Sequence, residues 1–247
     1  MSLSALASLL SRPSETLPDP DDLTRQARAL WPVTASESVQ AAALALTWGF
    51  PSLTLTALPA FSDLPEVAHL RAAALLRLGR GAEVTLTPDS ARAAVLQARA
   101  AWQQAGADAP RLATLARQQA RAEGDAAALI AAATLHAETE LHANEPRSAL
   151  RSLAEGLKVA EMLGQEADAH LLALLAHAQQ RVGGHAKAAQ TAHKALERSL
   201  PRSPARCIAL LALRETATAQ DEARAGELSP LWWARWLATD VEEAQKI

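Results

Sequence analysis

Aromatic side chains are scarce in this chain. They make up 3% of its 247 residues, with two phenylalanines and no tyrosine. Runs of valine, isoleucine and aromatics are correspondingly few, and a β-sheet lacks its usual material. There is one cysteine, Cys207, so an intramolecular disulfide is excluded. A reducing compartment, the cytoplasm, is the expectation. No window approaches the ~18 uninterrupted apolar residues of a membrane-spanning helix, so no membrane association is expected. The first residues, Met1-Ser2-Leu3-Ser4-Ala5-Leu6, lack a basic leader and a long apolar run, and do not read as a signal peptide. A net charge of −3 gives no general attraction to nucleic acid.

What the chain does have is apolar content without aromatics, 49% of its residues and mostly Ala and Leu. Both are strong helix formers, which predicts an all-α fold. The punctuation agrees. Pro18-Asp19-Pro20-Asp21-Asp22 breaks the chain and opens a helix to Leu30, and Ser36 starts another. Pro88-Asp89-Ser90, Asp108-Ala109-Pro110, Asp125, Pro146, Glu166, His185, Pro204 and Ser229-Pro230 open further helices. Gly79, Gly81, Gly106 and Gly124 close others. Residues 51–62, with Ser52-Leu53-Thr54-Leu55-Thr56 alternating between prolines, suggest a short helix or an extended connector. This predicts about a dozen helices joined by short connections, which favour antiparallel neighbours. Residues 1–62 form an N-terminal arm and helical lead-in, and 63–247 a helical repeat domain, with no linker long enough to separate two domains.

A register recurs in the second part. Ala137 and Ala176, Ala149 and Ala188, and Leu157 and Leu196 are each 39 residues apart. The units Ala126–Leu163 and Glu166–Leu200 split at His142-Ala143-Asn144-Glu145-Pro146 and at Val182-Gly183-Gly184-His185. Looser echoes run through 91–124 and 204–241. The placement of small residues at helix crossings and of Asn or Gly in the turns resembles tetratricopeptide repeats. The closest stretch is Gly183-Gly184-His185-Ala186-Lys187-Ala188, continuing to Lys194-Ala195-Leu196-Glu197. The unit is longer than that family's period of about 34 residues, and Glu140, Gln179 and Ala192 stand where the family has aromatics. Longer, Ala-rich units of this kind look similar to those of bacterial signal-responsive regulators.

The resemblance implies an α-solenoid of antiparallel helix pairs whose first helices line a concave groove that binds a peptide or helix. In this register the groove carries Thr134, Glu138, Leu141 and His142 from one unit and His170, Ala173, His177, Gln180 and Arg181 from the next. Spacings of three, four and seven put each set on one helix face. The mixed polarity suits an extended chain or an acidic ligand.

Chemistry-bearing motifs are absent. His170 and His177 lack the close spacing of a zinc-binding helix, and no cysteine or carboxylate cluster joins them, so no metal or other cofactor is expected. Gly79-Arg80-Gly81 and Gly183-Gly184 do not follow strands, as a phosphate-binding loop would require. No nucleophile elbow exists, and Cys207 lies in an apolar run with Ile208, Leu210 and Leu211. The expectation is a non-catalytic protein.

Six tryptophans are the exception to the aromatic poverty, and three fall in the last helix: Trp232, Trp233 and Trp236. Two readings fit them: a cap on the apolar end of the repeat array, or an exposed aromatic patch for a partner or a homodimer. Trp31, Trp48 and Trp102 stand alone and read as core. Arg181, Lys187, Lys194, Arg198, Arg202 and Arg206 read as a solvated outer face. The leading function is a scaffold for a protein or peptide partner. A signal-responsive regulator is the alternative, although Asp22–Leu30 and Ser36–Trp48 lack the basic face of a DNA-reading helix pair. Nucleic-acid binding through Arg92, Arg99, Arg111, Arg117 and Arg121 is a weaker third reading, opposed by the net acidity.

Overall fold

The computed structural model describes residues 3–13, 16–31, 34–58, 64–106 and 108–244. Among these the fold is all-α, with fourteen α-helices and no strand. They are α1 (Leu3–Leu10), α2 (Pro20–Leu30), α3 (Ala35–Thr47), α4 (Pro51–Ala57), α5 (Pro65–Arg77), α6 (Ala91–Gln103) and α7 (Ala109–Glu123). There follow α8 (Ala126–His142), α9 (Pro146–Met162), α10 (Ala169–Arg181), α11 (His185–Arg198), α12 (Pro204–Ala212), α13 (Thr216–Ala225) and α14 (Pro230–Ala244). The alternating segment after Pro51 is therefore helical through Ala57; the connector at 59–63 lies outside the described residues. The helix expected from Glu166 starts later, because the Asp168 carboxylate is the group that caps α10.

The same local chemistry recurs along the chain. Ser90, Asp125, Asp168 and Ser203 precede α6, α8, α10 and α12, and each side chain accepts the backbone N–H three residues on. That satisfies one of the donors a helix start leaves open. The helices that follow, α7, α9, α11 and α13, have no such side-chain cap. They begin instead from tight turns at Ala105, Asn144, Gly183 and Arg214, all with positive φ. Each turn is closed by a backbone bond reaching back five residues: Gly106 to Ala101, Glu145 to Glu140, Gly184 to Gln179 and Glu215 to Leu210, at 2.8–2.9 Å. This is the left-handed helix stop that glycine and asparagine favour. Ala105 and Arg214 adopt it without that help, so the packing of the flanking helices holds them there.

α6, α8, α10 and α12 pack on one another in succession and form an inner layer. Each of α7, α9 and α11 packs on the helix before it and the one after, whereas no comparable contact joins α7 to α9 or α9 to α11. Small residues let the axes approach. Ala137, Ala149, Ala176 and Ala188 are fully buried, and a Cβ on Gly156 would lie 2.5 Å from Leu171 Cδ1. Ala and Gly at these crossings hold α8, α9 and α10 closer than larger side chains would allow.

The N-terminal segment is part of the fold. α1 to α4 build their own core from Leu6, Leu9, Leu10, Leu23, Ala41, Ala45, Phe50 and Leu53. Arg202 ties that core to the turn between α11 and α12. Its Nε donates to the Trp48 carbonyl (2.9 Å), and its terminal nitrogens donate to the carbonyls of Leu10 (2.7 Å) and Arg12 (3.0 Å). The guanidinium lies 4.7 Å from the centre of the Phe50 ring. Its backbone N–H donates to Glu222, whose other oxygen accepts from Arg206 (2.9 Å). Gly49 and Gly226 make room: a Cβ on either would meet Arg202 atoms at 2.6 and 2.3 Å. The basic run is thus no uniform solvated face, since Arg202 is fully buried and Arg206 is paired.

Candidate functional site

α14 enters the inner side of the fold at a fixed point. The Ser229 N–H donates to the Arg77 carbonyl at the end of α5 (2.8 Å), and the Ser229 carbonyl accepts the first helical bond from Trp233 (2.9 Å). Gly79 allows this approach, for a Cβ there would lie 2.2 Å from the Ser229 hydroxyl. The helix then crosses the C-terminal ends of α6, α8 and α10. Arg235 donates to the carbonyls of Trp102 (3.2 Å) and Gln103 (2.8 Å) in the last turn of α6. There a cation complements the negative end of the helix dipole.

The centre of this contact is Trp236, which is fully buried. Its ring meets His142 edge-on at 4.7 Å and His177 edge-on at 5.2 Å, and Trp102 lies 5.2 Å beyond His142. Trp232 sits one turn back at 6.0 Å. His177 is fully buried, and neither ring nitrogen has a hydrogen-bond partner among the described residues. Burial pulls its pKa down to about 3. Burial also pulls His142 down to about 4, against the opposing field of Glu138. Both imidazoles are therefore neutral near pH 7 and pack on α14 as flat, weakly polar rings.

The nine residues expected on a concave groove do lie on α8 and α10, but they do not form an open groove. Thr134, Glu138, Leu141, Ala173 and His177 are buried, and the other four are half-buried. Thr134 turns its hydroxyl onto its own helix, at the Ala131 carbonyl (2.8 Å). Glu138 and His170 come together: His170 Nε2 lies 2.8 Å from Glu138 Oε1, which also accepts from Arg99 at 2.9 Å. Burial alone would raise the Glu138 pKa, but the Arg99 charge and the His170 hydrogen bond bring it down to about 2. Arg181 donates to the Leu141 carbonyl (3.2 Å) and to Asn144 (2.5 Å). Gln180 faces away, with its amide nitrogen toward His185 and its oxygen toward Arg214. The Trp236 ring contacts both His142 and His177. The three indoles of α14 are likewise no exposed patch: Trp232, Trp233 and Trp236 are all buried, whereas Leu231 is exposed.

Beside this contact is a cavity of about 510 Å³. α5, α6 and α14 contribute Arg77, Arg99, Trp102 and Trp232 to its wall, and the segment at the end of α11 contributes Arg198 and Leu200. Sequence reading missed Arg77 and Arg198 as site residues and placed Trp102 in the core, whereas it is half-buried and lines the cavity. Local sequence carries no sign that these residues converge. The excess of tryptophan over phenylalanine is the one signal that pointed to this end of the molecule.

No group of three His, Cys, Asp or Glu residues among those described is placed to hold a metal ion. Burial pushes the Cys207 thiol up to about 12, so at neutral pH it is a protonated core side chain. The arginine stripe read as a nucleic-acid face is engaged with carboxylates. Arg92 pairs with Asp125, Arg99 with Glu138 and Arg111 with Asp108, while Arg117 and Arg121 share Glu155. No helix among the described residues is long and apolar enough to cross a membrane. Comparison of the chain with protein-family models, with curated proteins and with solved structures finds no match.

Proposed function

We infer that this chain is a non-catalytic binding module of the cytoplasm, an α-solenoid of antiparallel, tetratricopeptide-like helix pairs whose inner surface holds a helix of a protein or peptide partner. The observation that carries this reading is α14 itself. An amphipathic helix with tryptophans one turn apart lies against Trp102, His142 and His177 of the inner layer. Its arginine caps the end of α6. The alternation of capped first helices and tight-turn second helices supports the repeat, and the buried alanines at the 39-residue register support its phase. In this form the inner surface is occupied by the chain's own helix. A partner helix with an aromatic at one position and an arginine just before it has the chemistry to compete for the same place.

The test is binding in trans. A chain ending at Leu228 is mixed with a synthetic peptide of residues 229–244. The reading expects a one-to-one complex with a dissociation constant below about 10 μM, recovery of thermal stability, and loss of both with Trp236→Ala in the peptide. A truncated chain that neither binds the peptide nor gains stability from it contradicts the reading.

A second reading, the signal-responsive regulator, is favoured by the cavity, because Leu228 just before α14 and Trp232 in its first turn are part of its wall. A small molecule held there would act directly on the helix that covers the inner surface.

A further inference from the structure

The cavity wall divides into an apolar part and a cationic part. Leu96, Trp102, Leu200 and Trp232 supply the first, and Arg77, Arg99 and Arg198 the second. The N-terminal ends of α10 and α12, at Asp168–His170 and Ser203–Ala205, line the same space and add the positive potential of the helix dipole. Two of the arginines are already compensated. Arg99 holds Glu138 at 2.9 Å, and Arg198 reaches the exposed Glu166 at 3.0 Å. The one carboxylate on the wall, Asp168, is committed to capping α10 through the Leu171 N–H at 2.8 Å.

Arg77 differs. Its guanidinium donates to the Leu46 carbonyl and has no carboxylate partner among the described residues. Burial pulls its pKa down to about 10. A half-buried cation without a counter-charge is costly unless something supplies one. The volume of about 510 Å³ falls in the range of small-molecule sites. We propose that this cavity binds an amphipathic monocarboxylate, with the carboxylate on Arg77 and the apolar body between Trp102 and Trp232. One uncompensated guanidinium calls for one negative charge, and its planar fork matches a carboxylate. The proposal does not rest on a helical partner, since the ligand is taken up by the full chain with α14 in place.

The two indoles in the wall report binding directly by fluorescence. The full chain is titrated with hexanoate, decanoate and 4-phenylbutyrate, each beside its neutral amide, and with inorganic phosphate alone. At least one acid binds one-to-one and about tenfold or more tighter than its amide. Arg77→Met brings that acid to the level of its amide and leaves the amide unchanged. Leu96→Trp fills the cavity and abolishes both, which keeps the test decisive if the Arg77 variant does not fold. Failure of every acid to bind overturns the proposal, as does equal binding of acid and amide. So does phosphate binding as tightly as the best acid, or an acid preference that survives Arg77→Met.

Discussion

Two junctions close this fold on itself, and they are built from opposite chemistry. At the first, Arg202 reaches from the α11–α12 turn to three backbone carbonyls of the N-terminal helices. Each is a charge-assisted hydrogen bond inside a buried site. At the second, α14 lies on the inner layer through rings, with Trp236 set edge-on to two neutral imidazoles. There His177 has no hydrogen-bond partner for either nitrogen among the described residues. The first junction is directional, with three hydrogen bonds from one guanidinium. The second is held by area and shape, and it contains groups that a proton would charge. A contact of the second kind is the one suited to release.

The largest effect is expected at the first junction. Arg202→Ala strands the carbonyls of Leu10, Arg12 and Trp48 and removes the cation from the Phe50 ring. It should cost about 3–5 kcal/mol in urea denaturation. Arg202→Lys should recover little, because an ammonium on one stem does not match three carbonyls held by a planar fork. A loss under about 1 kcal/mol for Arg202→Ala would erase the contrast between the junctions.

The second junction should be the acid-sensitive one. The pKa of His177 in the fold, about 3, lies below the ordinary value of 6.5. The unfolded chain therefore takes up the proton first as pH falls. Stability from keeping His177 neutral is complete above pH ~6.5 and declines through the interval down to about 3. Between pH ~6.5 and ~5 the loss from this residue is about 2 kcal/mol. His177→Leu should remove about half of the slope in that interval, with His142, whose pKa is about 4 in the fold, supplying much of the rest, while Arg202→Ala should shift the curve without changing its slope there. Glu138 acts lower: its stabilising contribution is complete above pH ~4.5 and is lost as pH falls from there to about 2.

The smallest effect belongs to the outer surface. Arg121→Ala removes one exposed partner of Glu155 and leaves Arg117 in place. A change within about 1 kcal/mol is expected, and a larger one would mean that the outer ion pairs also hold the fold.

How far the chain could be read from its residues follows the same division. Helix starts at Ser90, Asp125 and Ser229-Pro230 were legible, because a cap is written within three or four positions. So were the Asn144 and Gly183 turns, and the alanines at the crossings, which are fully buried. Arg202 was not, since the carbonyls it binds lie more than a hundred residues away and any basic residue in a charged run reads as solvated. The place of α14 was not either. Its tryptophans marked a helix that must bury aromatic area, but the choice between an end cap, an exposed face and the inner surface depends on Trp102, His142 and His177 converging across three helices.

Whether α14 occupies the inner surface is most directly read by backbone hydrogen exchange on the full chain, beside the Trp236→Ala variant. The amides of the first two turns of α14 should exchange as slowly as those of α10 in the wild type. In the variant they should become fast, while α7 on the outside is unchanged. Rapid exchange of α14 in the wild-type chain, with α10 still protected, would contradict its place on the inner surface.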